Sequence, residues 1–174
     1  IPSDTYANVD GTENSIYEFY RLGGTADAVK AAEAATGVKM DYYLKLNDES
    51  FYTLVDIFGG VDFNIPYNLV YTNPDTGEET IFSEGEMYLD SRLLRKVITY
   101  PQYNSGEEYR AKMTGVAVND LINRNVSQGF SSHIDDYFSI VINSQIETNF
   151  TAYDYEEQSK AIKYIADNDE NICR

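Results

Sequence analysis

At 174 residues and 43% hydrophobic content, the chain can bury a sizeable core, and a single domain over 1–174 is expected. Its 29 acidic residues against 13 basic ones leave a formal net charge of −16, which repels polyphosphate backbones and argues against a nucleic-acid partner. One histidine, His133, and one cysteine, Cys173, exclude a histidine-rich zinc site and an internal disulfide; neither a Gly-x-Ser-x-Gly elbow nor a His-Glu-x-x-His helix is present.

In chain order, residues 1–9 read as a short strand or its exit, and Asp10-Gly11 is a turn signal. Ile16, Phe19 and Tyr20 keep helical spacing until Gly23-Gly24 breaks it. Thr25 can cap a second helix over 26–36, whose alanines favour helix, and Gly37 closes it. Tyr42, Leu44 and Leu46 then alternate with Tyr43 and Lys45, the period of a strand with one buried face. Asn47 or Asp48 can cap a helix that puts Phe51, Leu54, Val55 and Phe58 on one side and stops at Gly59-Gly60. Val61, Phe63 and Ile65 alternate again as a strand that Pro66 ends. Strand, helix and strand in that order are the grammar of a layered α/β domain.

Residues 67–84 form a hairpin excursion whose tip is Asn73-Pro74-Asp75-Thr76-Gly77. Arg92, Arg95 and Lys96 follow as the basic cluster of an acidic chain, either an anion contact or a solvated helix face paired with nearby carboxylates. After a loop over 97–106, a long helix is expected from Glu107 to Asn123, with Arg110 one turn beyond Glu107 on the same face. Helical spacing returns over 131–146, breaks at Thr148 to Thr151, and resumes over about 153–166. Asn125-Val-Ser127 and Asn149-Phe-Thr151 match the short glycosylation sequon. No apolar run is long enough to span a bilayer, and 16 tyrosines offer amphipathic area suited to sugars, interfaces or a half-buried sheet.

The order of these motifs resembles the LytR-CpsA-Psr family of bacterial cell-envelope proteins. The resemblance rests on Ile1-Pro2-Ser3-Asp4-Thr5, the helix from Ser15 to Tyr20 ending in Gly23-Gly24, residues 41–66, Gly85 to Ser91, Glu107 to Thr114, and Thr148-Asn149-Phe150. It implies a three-layer α-β-α sandwich with a central mixed sheet. It also implies phosphotransfer, in which an anionic glycopolymer moves from a polyprenyl-pyrophosphate carrier to peptidoglycan or a related acceptor. Such chemistry needs cations around the pyrophosphate and a base for the acceptor hydroxyl. Carried over by position, the resemblance puts Arg110 on the pyrophosphate, Glu107 as the base, and Arg92, Arg95, Tyr20 and Asp4 on the substrate. Magnesium is implied as well, with ligands in a segment preceding residue 1. The chain opens on Ile1-Pro2 without a methionine and is expected to be a piece of a longer protein; the resemblance implies that the intact protein is extracytoplasmic and held by an N-terminal membrane anchor.

Several family cations are replaced. Ser3 stands for an arginine, Ser15 for a lysine, Ile98 and Tyr100 for two arginines, and Met113 and Thr114 for an arginine and a glutamine. One well-placed donor contributes about 3 kcal/mol to a developing oxyanion. The expectation is therefore a catalytically degenerate member of this phosphotransferase group. A non-catalytic binding or scaffold module for wall glycopolymer, lipid carrier or a protein partner is the alternative.

Overall fold

A computed structural model describes residues 1–125, 134–143 and 146–168. His133, Cys173 and the Val126-Ser127 part of the first sequon lie outside the described residues. By its internal contacts the chain forms two compact units, one of Ile1–Lys45 with Glu147–Asp154 and one of Leu46–Ile146 with Tyr155–Arg174.

In the first unit, β1 (Tyr6–Val9) pairs antiparallel with β2 (Thr12–Ser15), in register from Tyr6 opposite Ser15 to Val9 opposite Thr12. Asp10 (φ 51°) and Gly11 (φ 84°) both take left-handed backbone, the geometry whose twist suits a two-residue hairpin. The turn is legible in the sequence, but the return strand Thr-Glu-Asn-Ser carries no apolar alternation to announce it. Helix α1 (Ile16–Thr36) starts at Ser15, whose hydroxyl oxygen accepts from the Glu18 N–H at 3.2 Å, and ends at Gly37 in left-handed backbone. Gly24 (φ 70°, ψ −158°) leaves helical geometry, so α1 is the two expected helices meeting at a kink there. Ala7, Phe19 and Ala31 form a small core with Val9 and Ile16 against it.

The strand expected over 42–46 is reduced to β3 (Leu44–Lys45), paired with β8 (Glu147–Thr148). Its apolar positions are not buried as the alternation predicts: Tyr42 is 43% and Leu44 49% exposed. The reason lies in the partner, where side chains replace the ladder. Asn149 Oδ1 accepts from the Tyr43 N–H at 2.8 Å, Asn149 Nδ2 donates to the Asp41 carbonyl at 2.9 Å, and Thr148 Oγ1 donates to the Tyr43 carbonyl at 2.6 Å.

In the second unit, Asn47 caps α2 (Asp48–Phe58) by accepting from the Ser50 N–H at 2.8 Å, and Gly59 ends it in left-handed backbone. Strand β4 (Val61–Ile65) is buried at Val61, Phe63 and Ile65 and exposed between them, as its sequence predicts. It pairs antiparallel with β7 (Gly85–Leu89), Val61 opposite Leu89 and Ile65 opposite Gly85. Strands β5 (Leu69–Thr72) and β6 (Glu79–Phe82) make the expected hairpin, its tip tied by Asn73 Oδ1 accepting from the Asp75 N–H at 2.9 Å. Asp90 caps α3 (Ser91–Ile98), which buries Leu94 and Val97. Helices α4 (Gly106–Asn125), α5 (Ile134–Asn143) and α6 (Ala152–Asn168) complete the chain. Phe138 stacks on Tyr155 with ring centroids 4.0 Å apart, and Asp135 accepts from the Tyr155 hydroxyl and from Lys163.

One core runs through this unit from α2 and the β4–β7 pair to α3 and α4, with Val55, Phe63, Ile65, Leu69, Phe82 and Leu89 at its centre. The class is α/β as expected, its described strands pairing as four two-stranded antiparallel ladders. No helix among the described residues is long and apolar enough to cross a membrane.

Candidate functional site

The start of α4 is set by aromatic packing. Tyr67, Tyr100 and Tyr109 surround Tyr103, with ring centroids 6.4, 5.2 and 5.4 Å from it. The buried Tyr103 hydroxyl donates to the Val97 carbonyl at 3.0 Å, and burial raises its pKa above the usual phenol value. Tyr67 Oη accepts from the Asn104 N–H at 2.8 Å, and Gly106 turns the chain with φ 64° into the helix. On the first turn so placed, Arg110 Nε donates to Glu107 Oε2 at 2.8 Å while a second guanidinium nitrogen donates to Oε1. The fork is bidentate and each side chain is 32% exposed. A carboxylate suits this end of the helix, where the orphan N–H groups concentrate positive potential, and a guanidinium alone does not.

Arg92, Arg95 and Lys96 sit on the face of α3 opposite Leu94 and Val97, because positions three and four apart share a side. They line a cleft of about 700 Å³ with Asp48, Tyr52 and Tyr71. Arg95 Nε donates to Asp48 Oδ1 at 2.8 Å, so this cation takes the carboxylate-paired role. The other two settle on aromatic rings: the Arg92 guanidinium lies 5.2 Å from the Tyr52 centroid, and the Lys96 ammonium 5.8 Å from that of Tyr71. Lys96 also donates to Thr80 Oγ1 at 2.8 Å. Glu107 and Arg110 are not among the residues lining this cleft.

Tyr20 and Asp4 belong to the first unit. The Tyr20 ring lies under the Lys45 ammonium, 5.2 Å from centroid to nitrogen, and Asp4 is exposed in the turn before β1. Lys45 donates to Glu147 Oε2 at 2.7 Å and Thr25 to Glu147 Oε1 at 2.5 Å. The bond to Glu147, then that to Tyr20, holds the Lys45 pKa above its ordinary value; Lys45 and Thr25 together hold Glu147 below its own.

At the positions where the resemblance implies a lysine, an arginine and a glutamine, the side chains of this chain have local tasks. Ser15 caps α1, Met113 is buried in the core, and Thr114 Oγ1 donates to the Arg110 carbonyl at 3.0 Å. Sequence reasoning places Lys96 in the basic cluster but leaves it, with Tyr52 and Tyr71, out of the site; the four-residue step from Arg92 to Lys96 is the available signal. Among the described residues no three His, Cys, Asp or Glu side chains gather as a metal-ligand set.

The LytR_cpsA_psr family model matches residues 1–169. TagU of Bacillus subtilis strain 168, named a polyisoprenyl-teichoic acid–peptidoglycan teichoic acid transferase, is 30% identical over 153 residues, covering 87% of this chain and 48% of that protein. A crystal structure from Eubacterium siraeum DSM 15702 superposes with a TM-score of 0.84 at 24% identity, over 99% of this chain and 66% of that one. The crystal structure of B. subtilis TagU gives 0.63 at 28% identity, over 87% of this chain and 64% of that one. The chain spans about half the length of the curated relatives it matches. With the family pattern running through nearly all of its length on this α/β scaffold, the chain belongs to the LytR_cpsA_psr family.

Proposed function

We propose that this domain binds the pyrophosphate of a polyprenyl-linked, teichoic-acid-type glycopolymer at Arg110, on the outer side of a bacterial membrane to which the intact protein is anchored. The bidentate Arg110–Glu107 fork on the first turn of α4 carries the reading. A guanidinium that already holds two carboxylate oxygens is shaped to hold two phosphoryl oxygens instead. Exchange of Glu107 for the diphosphate leaves that carboxylate free to accept the proton of an acceptor hydroxyl. The acceptor oxygen then bonds to the phosphorus that carries the glycan, and the bond from that phosphorus to the polyprenyl phosphate breaks. The name and kinship of TagU support this substrate class. Magnesium, where the intact protein supplies it, would neutralise diphosphate charge.

A second reading, binding without turnover, is favoured by one specific observation: Ser15 and Met113, at family cation positions, serve as a helix cap and a core residue. Calorimetry of this chain with a polyprenyl pyrophosphate, with and without magnesium, tests the common part of both. The expected result is binding that weakens at least tenfold in Arg110→Ala. No detectable binding by the unaltered chain would overturn both. Binding accompanied by transfer of a labelled polymer to peptidoglycan fragments selects the first, and binding without transfer the second.

A further inference from the structure

The cleft beside α3 holds two cations of an unusual kind for so acidic a protein. With 29 acidic residues against 13 basic ones, a cation on this chain has many carboxylates to choose from. Arg21, Lys30, Lys39, Lys45, Arg95, Arg110, Arg124 and Lys163 are each paired with one. Arg92 and Lys96, like Lys112 and Lys160, have no carboxylate partner among the described residues, but these two share one cleft and are held there by tyrosine rings. Lodging a cation over a ring fixes its position and leaves its charge uncompensated, with most of its N–H donors free to turn outward. The cleft volume, about 700 Å³, is within the range of small-ligand sites.

The rest of the lining narrows the ligand. Asp75 and Asn73, from the tip of the β5–β6 hairpin, face the same cleft as the two cations. A bare anion would meet repulsion from Asp75, whereas a ligand that carries both an anion and hydroxyl donors satisfies both sides at once. A phosphorylated saccharide has that combination. Tyr52 and Tyr71 add amphipathic wall to the same lining.

We propose that this cleft is a phosphosaccharide-binding site, with the phosphoryl group held by Arg92 and Lys96 and sugar hydroxyls donating to Asp75. It is independent of the Arg110–Glu107 fork, whose residues do not line it.

The test is calorimetric titration of this chain with glucose 1-phosphate, inorganic phosphate and glucose, each at constant ionic strength. Glucose 1-phosphate is expected to bind more tightly than inorganic phosphate by at least fivefold, and glucose alone not to bind. Arg92→Gln with Lys96→Gln should weaken glucose 1-phosphate at least tenfold, while Arg21→Gln, a surface cation outside the cleft lining, leaves it within twofold. Both cations lie on the outer face of α3, and an unchanged melting temperature will show that the double variant folds. Should it unfold, charge retention in Arg92→Lys with Lys96→Arg must preserve the binding, and Asp75→Ala must remove the preference for glucose 1-phosphate over inorganic phosphate. Absence of glucose 1-phosphate binding, equal affinity for inorganic phosphate, or loss of binding in Arg21→Gln would each overturn the proposal. The double variant leaves Arg110 intact, so unchanged polyprenyl pyrophosphate binding in it separates this proposal from the lipid-carrier reading.

Discussion

The two units are stabilised by different means. The second is organised by burial: Val55, Val61, Ile65, Leu69, Phe82 and Leu89 are fully removed from solvent, and Phe63 is 1% exposed. The first has a core of three residues, Ala7, Phe19 and Ala31, and is tied largely by exposed polar contacts such as Lys45–Glu147 and the Asn149 clamp. Apolar burial scales with area and is not screened by salt, while each polar contact has to compete with water and contributes about 1 kcal/mol or less when exposed. The second unit should therefore be the harder to open, and the first should respond to pH and to single polar substitutions.

The largest effect that sharpens this contrast is at Phe63. Phe63→Ala should destabilise the chain by about 3–5 kcal/mol, read in denaturant unfolding, because a fully buried aromatic leaves a cavity. Phe19→Ala, at 8% exposure in the small core, should cost less than half as much; an equal loss would erase the distinction. Gly60→Ala comes next. Gly60 has φ 73°, and an added Cβ would lie 2.5 Å from the Leu89 carbonyl oxygen, forcing the β4–β7 pair apart. A loss of about 1–3 kcal/mol in the same measurement is expected.

Smaller again is Asn149→Ala, expected to remove about 1 kcal/mol and to speed hydrogen exchange at the Tyr43 amide while leaving β4 amides unchanged. The smallest effect is a pH response in the first unit. The folded-state pKa of Glu147 is lowered by Lys45 and Thr25, so its contribution is present above the ordinary value of 4.5 and is lost as pH falls through the lower folded value. Lys45 is raised, so its contribution persists through neutral pH and disappears only above its ordinary 10.5. The protection of the Lys45 and Thr148 amides, relative to intrinsic exchange at the same pH, should therefore fall at acid pH, and Glu147→Gln should flatten that change. A profile identical in the variant would assign the acid response to other carboxylates.

How far the fold is legible in the sequence follows the same division. Periodicity works when one face is buried, and β4 obeys it residue by residue. It fails at Tyr42 to Leu46, because the partner strand is two residues long and side-chain amide and hydroxyl groups do the pairing. It is silent for β7, whose Gly-Glu-Met-Tyr-Leu buries only Leu89 fully, and for β2. The caps are readable at Asn47, Gly37 and Gly59, since local backbone chemistry decides them. The Arg110–Glu107 pairing is readable from helical spacing. The tyrosine lodging of Arg92 and Lys96 is not, because Tyr52 and Tyr71 come from α2 and β5, distant in sequence.

The Asn149 side chain offers an oxygen to one backbone N–H and a nitrogen to one backbone carbonyl, as a peptide group in a third β8 residue would. It is a splint made from a side-chain amide, and chemistry at that amide is thereby constrained. The substitution Asn149→Asp, which barely alters shape, would turn the donor facing the Asp41 carbonyl into an acceptor, so an apparently mild replacement or a deamidation acts as a break. A sugar on Nδ2 of the Asn149-Phe150-Thr151 sequon would leave a single hydrogen on that nitrogen, and it would have to be the one already engaged.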